Sequence, residues 1–306
     1  MLVRPEAGAP VDAHLRPVVC ARHRPPAGAW LPARRTGRAG PGFGGAGTDG
    51  GAAPMRTIVG MALRPVQVNI KARDAPAVGR FWGHALGWHV FQPGVTTYVG
   101  PADEFVWPDP DTLGIDVVPV PGAGTAGKNR VHLDLATTSA AHQAELIARL
   151  VALGATPADI GQGDVPWAVL ADPEGNEFCV LEPREIYRDT GPVARVVMDC
   201  VDARATARFW GEATDWTVHE VTDDRAALRC AQGRGPYLEF VRTPGAKTAP
   251  GRVHLDLLPR PGDDHAAQVA RLRALGAADL DVGQGDVSWT CLTDPEGHEF
   301  CVLTLS

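Results

Sequence analysis

The sequence predicts an α+β protein of two similar domains in tandem, and three observations carry that expectation. Residues 130–181 recur at 252–303, a shift of 122, with 31 of 52 positions identical. A weaker repeat at a shift of 128 matches Asp74, Phe81, Trp82, Gly83 and Trp88 to Asp202, Phe209, Trp210, Gly211 and Trp216. Inside each copy, period-2 alternation gives way to helical spacing and then to further short strands, twice over. The domains are expected over 62–184 and 192–306, joined by the polar stretch 185–191.

Each element follows from its residues. PVQVNI alternates as a strand, after which Asp74 suits a helix N-cap with Pro76 in the first turn. Val78, Phe81, Trp82, Ala85 and Leu86 then recur at helical spacing, and Gly87 marks the C-terminal end. The second unit opens with VHLDLA, caps a helix at Ser139, places Ile147, Leu150 and Leu153 along it, and stops at Gly154. WAVLA and EFCVL follow as strands joined by DPEG, a turn with Pro second and Gly last, so Gly175 and Gly297 are expected at positive φ. GQGDV reads as a turn, because a strand follows it where a phosphate site needs a helix N-terminus.

Composition narrows the function. The chain has 306 residues, 44% hydrophobic and 21% charged, with a net charge of -7. Residues 1–60 hold eight Arg against three acids, a balance of +5, which leaves about -12 on the rest. An acidic body makes nucleic acid and anionic membrane poor partners, and no apolar run is long enough to span a bilayer. The first 61 residues, rich in Gly, Pro, Ala and Arg, read as a disordered tail. Six cysteines with no CxxC pair fit a reducing cytoplasm. A small-molecule ligand is the expected partner, and the chain is expected as a monomer of two paired domains or as a homodimer.

The ordered motifs FWG, LGW at 86–88, NRVHLDL, LGA and DPEGNEFCVL, then DCVDARATARFWG, GRVHLDL and DPEGHEFCVL, resemble the glyoxalase or vicinal-oxygen-chelate superfamily. The resemblance covers residues 62–306. It implies domains of two paired βαβββ modules, each domain a cup-shaped mixed sheet with helices on its outer face. It does not choose a reaction, because members include metal-dependent isomerases and lyases, ring-cleaving dioxygenases, thiol transferases and metal-free sequestration proteins.

Strand alternation nominates the side chains that face the cup. Val131, Leu133 and Leu135 share one face of VHLDL, so His132 and Asp134 point the other way, as do His254 and Asp256. Gln67, Asn69, Asp116 and Cys179 point inward by the same logic. The resemblance implies metal ligands on the first and last strand of each module, which in the first domain gives Gln67, Asp116, His132 and Cys179. All four side chains are competent donors for Zn, Ni, Mn, Co or Fe. The same positions in the second domain hold Arg195, Glu239, His254 and Cys301. An arginine is no ligand and is expected to pair with Glu239, so a metal is expected in the first domain only.

Cys179 stands where metal-dependent glyoxalases carry a glutamate that serves as ligand and base, so no general base is evident. The alternative to a metal-dependent lyase or isomerase is a metal-free binding or sequestration protein, with Asn69, Trp167, Glu239, His254 and Trp289 contacting the ligand. His132 and His254 have a structural alternative as well, as donors to Asp134 and Asp256. Trp82 and Trp210 are expected in the core.

Overall fold

The computed structural model describes residues 62–109, 111–122 and 127–304. The expected tail, residues 1–61, lies outside them.

Four modules of one pattern follow each other. The first comprises β1 (Arg64–Ala72), α1 (Ala75–Leu86), β2 (His89–Phe91), β3 (Thr97–Gly100) and β4 (Gly114–Pro119). The second comprises β5 (Val131–Leu135), α2 (Ala140–Ala152), β6 (Thr156–Pro157), β7 (Ala168–Ala171) and β8 (Glu177–Val180). After a 3-10 turn at Glu185–Tyr187 come β9 (Val193–Cys200), α3 (Ala203–Ala213), β10 (Trp216–Val221), β11 (Arg225–Cys230) and β12 (Tyr237–Arg242). The fourth holds β13 (Val253–Leu258), α4 (His265–Ala274), β14 (Ala278–Asp279), β15 (Thr290–Thr293) and β16 (Glu299–Val302).

The local chemistry read from sequence governs the ends of these elements. The Asp74 carboxylate accepts from the Ala77 N–H at α1, and Gly87 closes that helix at φ 68. Ser139 accepts from the His142 N–H at α2. Gly175 and Gly297 end their turns at φ 81 and 84, a region that strains any side chain. GQGDV is a turn followed by strand in both copies.

The sheets do not follow the two contiguous segments. One eight-stranded sheet runs β14-β15-β16-β13-β1-β4-β3-β2, so the first module is continuous with the fourth. The other runs β10-β11-β12-β9-β5-β8-β7-β6 and joins the second module to the third. The joints are antiparallel, with Gln67 opposite Asp256 and Asn69 opposite His254 in one sheet, and Arg195 opposite Asp134 and Val197 opposite His132 in the other.

Consecutive modules meet instead through their helix-bearing faces. Trp82 of α1 packs on Phe178 of β8, centroids 5.1 Å apart, and Trp210 of α3 packs on Phe300 of β16 at 5.3 Å. Both indoles are in the core, donating to Asp172 and Asp294, the first residues of the DPEG turns. Burying each such ring is worth roughly 2–3 kcal/mol, whereas the Arg73–Glu174 pair beside it, solvent-screened on its Arg73 side, is worth roughly 1 kcal/mol. The apolar seam therefore holds the sheets together. The DPEG glutamates add backbone caps across it: Glu174 accepts from the Arg73 and Asp74 N–H groups, and Glu296 from those of Val201 and Asp202.

Among the described residues, no helix is long and apolar enough to cross a membrane.

Candidate functional site

Each sheet has one face free of helices, and the inward side chains of two modules converge there. The cup of β1–β4 with β13–β16 is called the β1 cup, and that of β5–β12 the β9 cup. Register makes their positions equivalent one by one. Gln67 opposite Asp256 corresponds to Arg195 opposite Asp134, and Asp116, beside Asn69, corresponds to Glu239, beside Val197. His254 and Cys301 correspond to His132 and Cys179.

The expected metal set is therefore not assembled. Gln67 and Asp116 face the β1 cup with His254, whereas His132 and Cys179 face the β9 cup with Arg195 and Glu239. Every one of these side chains points inward as alternation predicts; what changes is the partner module.

The acids of the β9 cup are paired with a residue of the chain itself. Arg195 Nε donates to Asp134 Oδ2 and Nη1 to Glu239 Oε2, each at 2.5 Å, and the guanidinium lies 5.9 Å from the Tyr187 ring centroid. The expected Arg195–Glu239 pair is thus present, with Asp134 as a third member. Burial alone would raise the Asp134 carboxyl, but the His132 contact and the Arg195 charge outweigh it and hold the group well below the usual carboxylate range. Burial opposes the Arg195 charge, yet Asp134 and Glu239 more than offset it. The Cys179 thiol is pushed up by burial and by Asp134, so it stays a neutral thiol. Over this triad, Val169, Cys179, Leu181, Tyr187, Ala194, Ala227 and Tyr237 form a separate apolar cluster, with Trp167 packed against it under Arg184. Trp167 is thereby part of the filling.

The β1 cup has the acids without the arginine. Gln67 Nε2 donates to Asp256 Oδ2 at 2.7 Å, Asn69 Nδ2 reaches the same oxygen at 3.4 Å, and the Trp107 indole donates to Gln67 Oε1 at 2.6 Å. His254 Nε2 lies 3.2 Å from Asp256 Oδ1 and 3.5 Å from Cys301 Sγ, which in turn lies 3.5 Å from Cys291 Sγ. Asp116 is 1% exposed and its Oδ1 makes no hydrogen bond. Burial, followed by the like charge of Asp256, pushes the Asp116 carboxyl up to about 7. Such a group can hold or release a proton near neutrality, in a cup where sequence offered no base.

His254, Asp256 and Cys301 bring three donor atoms within 4.8 Å of one another, and so do His132, Asp134 and Cys179. In the β9 cup the Arg195 cation already neutralises the aspartate, so a metal does not fit there. In the β1 cup the trio fits one ion. The expected four, Gln67, Asp116, His132 and Cys179, do not hold one ion together, because the first two and the last two lie in different sheets.

Trp107 and Cys291 complete the site and were not singled out from sequence. Trp107 lies in an irregular segment without periodicity, whereas the alternation of WTCLT does aim Cys291 inward. Trp289 lines a cavity of about 260 Å³ with Gln284, Asp286 and Cys291. A larger groove of about 530 Å³ lies behind the β9 cup, between α1, α2 and the stretch 183–192. Its arginines are already committed, Arg184 to Glu182, Arg188 to Glu185 and Arg149 to the Ala85 carbonyl.

The family model of the glyoxalase-like domain matches residues 67–181 and 195–303. Comparison with curated proteins finds no match. Among solved structures, glyoxalase I from Zea mays is similar at 14% identity and a TM-score of 0.53, over 79% of this chain and 92% of that one. A putative dioxygenase from Bacillus subtilis is similar at 14% identity and a TM-score of 0.55, over 80% and 86%. At such identities the likeness is one of fold.

Proposed function

This chain belongs to the glyoxalase-like domain family, and from that premise we propose that it binds a small molecule in the β1 cup, because in the β9 cup Arg195 already occupies the carboxylates Asp134 and Glu239. The observation that carries the reading is the contrast at one equivalent pair of positions: Asp116 Oδ1 is buried without a hydrogen bond, whereas Glu239 is paired with Arg195, and a bare oxygen on the facing aspartate is common to both cups. A buried polar atom left bare costs about 1–3 kcal/mol, a cost a ligand relieves. The reading tests as follows: a small-molecule thermal-shift screen of the full chain should give ligands whose shift is lost in His254→Ala and kept in His132→Ala. Ligands that depend equally on His132, or none from a broad screen, overturn it.

The distances among His254, Asp256 and Cys301 favour a second reading, in which these three side chains would hold a divalent metal. A thiolate and an imidazole suit Zn better than Mg or Ca. Bound there, a metal supplies Lewis-acid polarisation of ligand oxygens. The protein's own part is positional: Gln67 and Asn69 orient Asp256, and Trp107 fixes Gln67. One metal per chain is expected after reconstitution, lost in His254→Ala and retained in His132→Ala. The reverse dependence would overturn this reading and place the ion at His132, Asp134 and Cys179 instead.

A further inference from the structure

The chain shows one cation bridging a pair of its inward acids, although Asp134 keeps one oxygen without a hydrogen bond, as Asp256 does. In the β9 cup a planar guanidinium spans two carboxylates, one nitrogen on each, with His132 Nε2 3.4 Å from the second oxygen of Asp134. The β1 cup repeats the carboxylates at equivalent positions, Asp256 for Asp134 and Asp116 for Glu239, but puts Gln67 where Arg195 stands. The shorter amide reaches one of the two: it donates to Asp256 and leaves Asp116 Oδ1 unpartnered at 1% exposure. We propose that the β1 cup recognises a small molecule bearing a guanidinium or amidinium group, which bridges Asp116 and Asp256 as Arg195 bridges Glu239 and Asp134. The inference rests on the reading of the β1 cup as the ligand cup and names the class of ligand.

Two further features agree. The cavity of about 260 Å³ adjoins this cup at Cys291, whose sulfur touches Cys301 inside. Its lining includes Asp281, Asp286 and the half-buried Trp289, and no Lys or Arg. Acids lower the free energy of an approaching cation, and an indole face stacks well on a planar guanidinium. An ammonium offers a point charge in place of the two-pronged donor that a pair of separate carboxylates accepts, so it is the poorer match.

Calorimetric titration of the full chain with methylguanidinium, methylammonium and methylurea tests this. Methylguanidinium should bind saturably at one site, about tenfold or more tighter than the other two, and Asp116→Asn should remove that preference. Gln67→Arg should abolish binding by filling the cup from within. Should that variant not fold, Arg195→Ala carries the same test in reverse. With the β9 cup opened, methylguanidinium should raise its melting temperature and bring the stoichiometry toward two, where a nonspecific denaturing effect lowers the melting temperature. Equal affinity for methylurea, no saturable binding to the native chain, or binding indifferent to Asp116→Asn overturns the inference. Neutral or anionic ligands that depend on His254 would keep the β1 cup as the ligand cup while removing the guanidinium; no ligand of any kind would remove both.

Discussion

Arg195 on β9 and Gln67 on β1 hold the same place in their sheets, each opposite an aspartate of the adjoining antiparallel strand, and only Arg195 spans to a second carboxylate. One side chain thus separates a cup whose two carboxylates share a cation from one whose two carboxylates have an amide in its place. Breaking a buried ion network by removing one partner is costly because the others stay buried. Arg195→Ala is therefore expected to cost about 3–5 kcal/mol in urea unfolding, and Gln67→Ala roughly 1 kcal/mol. Similar losses for the two would mean that Asp134 and Glu239 find other partners or water.

Asp116 is the converse case, a group whose ionisation the fold opposes. Its carboxyl is raised to about 7, above its unfolded value, so the native state holds the proton more tightly than the unfolded chain. Stability should then fall as pH rises from about 4 to 7 and level off above. Asp116→Asn should stabilise the chain at pH 8, by on the order of 1–3 kcal/mol, and make little difference near pH 4. Unfolding midpoints at the two pH values decide it; destabilisation at pH 8 would show that the carboxylate is satisfied in solution.

A second titrating pair arises where the repeats differ. His298 lies against Asp294 at 3.0 Å and against the Asp199 carbonyl at 2.8 Å, while the equivalent Asn176 faces Asp172. Burial opposes the charge on His298, but Asp294 outweighs it and raises the imidazole; Asp294 is lowered in return, whereas burial leaves Asp172 raised. A raised histidine stabilises the fold below its unfolded value and ceases to do so as pH passes its folded value. A lowered aspartate stabilises above its unfolded value and ceases as pH falls through its folded one. His298→Asn should thus cost most stability between about pH 4 and 6.5 and progressively less as pH rises through the raised folded value of His298. A pH-independent difference would indicate that His298 stays neutral.

How far the sequence reaches is clearest at the cup residues. Gln67, Asn69, Asp116, His132, Cys179 and His254 all face inward, because period-2 alternation against an apolar helix face leaves a strand no other orientation. Helix ends at Asp74, Gly87 and Ser139 were equally legible, since caps are local chemistry. The pairing of modules was not. The first and third modules resemble each other, as do the second and fourth, so contiguous pairing and the observed pairing of first with fourth satisfy the same patterns. Choosing between them depends on the seam of Trp82, Phe178, Trp210 and Phe300, which is a tertiary property. For that reason His132 and Cys179 moved to one cup and Gln67 and Asp116 to the other.

Gly114 and Tyr98 in the β1 cup exchange sizes with Tyr237 and Ala227 in the β9 cup. Gly114 lies beside Gln67 as Tyr237 lies beside Arg195, and Tyr98 beside Asp116 as Ala227 beside Glu239. The Tyr98 ring fills the space over Gly114 so closely that an added Cβ would stand 2.4 Å from its hydroxyl oxygen. Gly114→Ala should therefore cost about 1–3 kcal/mol by overpacking. Gly297→Ala is a useful contrast, because nothing lies within 4 Å of its Cβ position and the strain of φ 84 alone should cost about 1 kcal/mol. The difference in mechanism shows in a double-mutant cycle. Adding Tyr98→Ala should recover much of the loss in Gly114→Ala and none of that in Gly297→Ala, because only the first shares a contact with the ring. Additive losses at Gly114 and Tyr98 would mean that the ring moves aside at little cost and that the β1 cup is more plastic than its close packing implies.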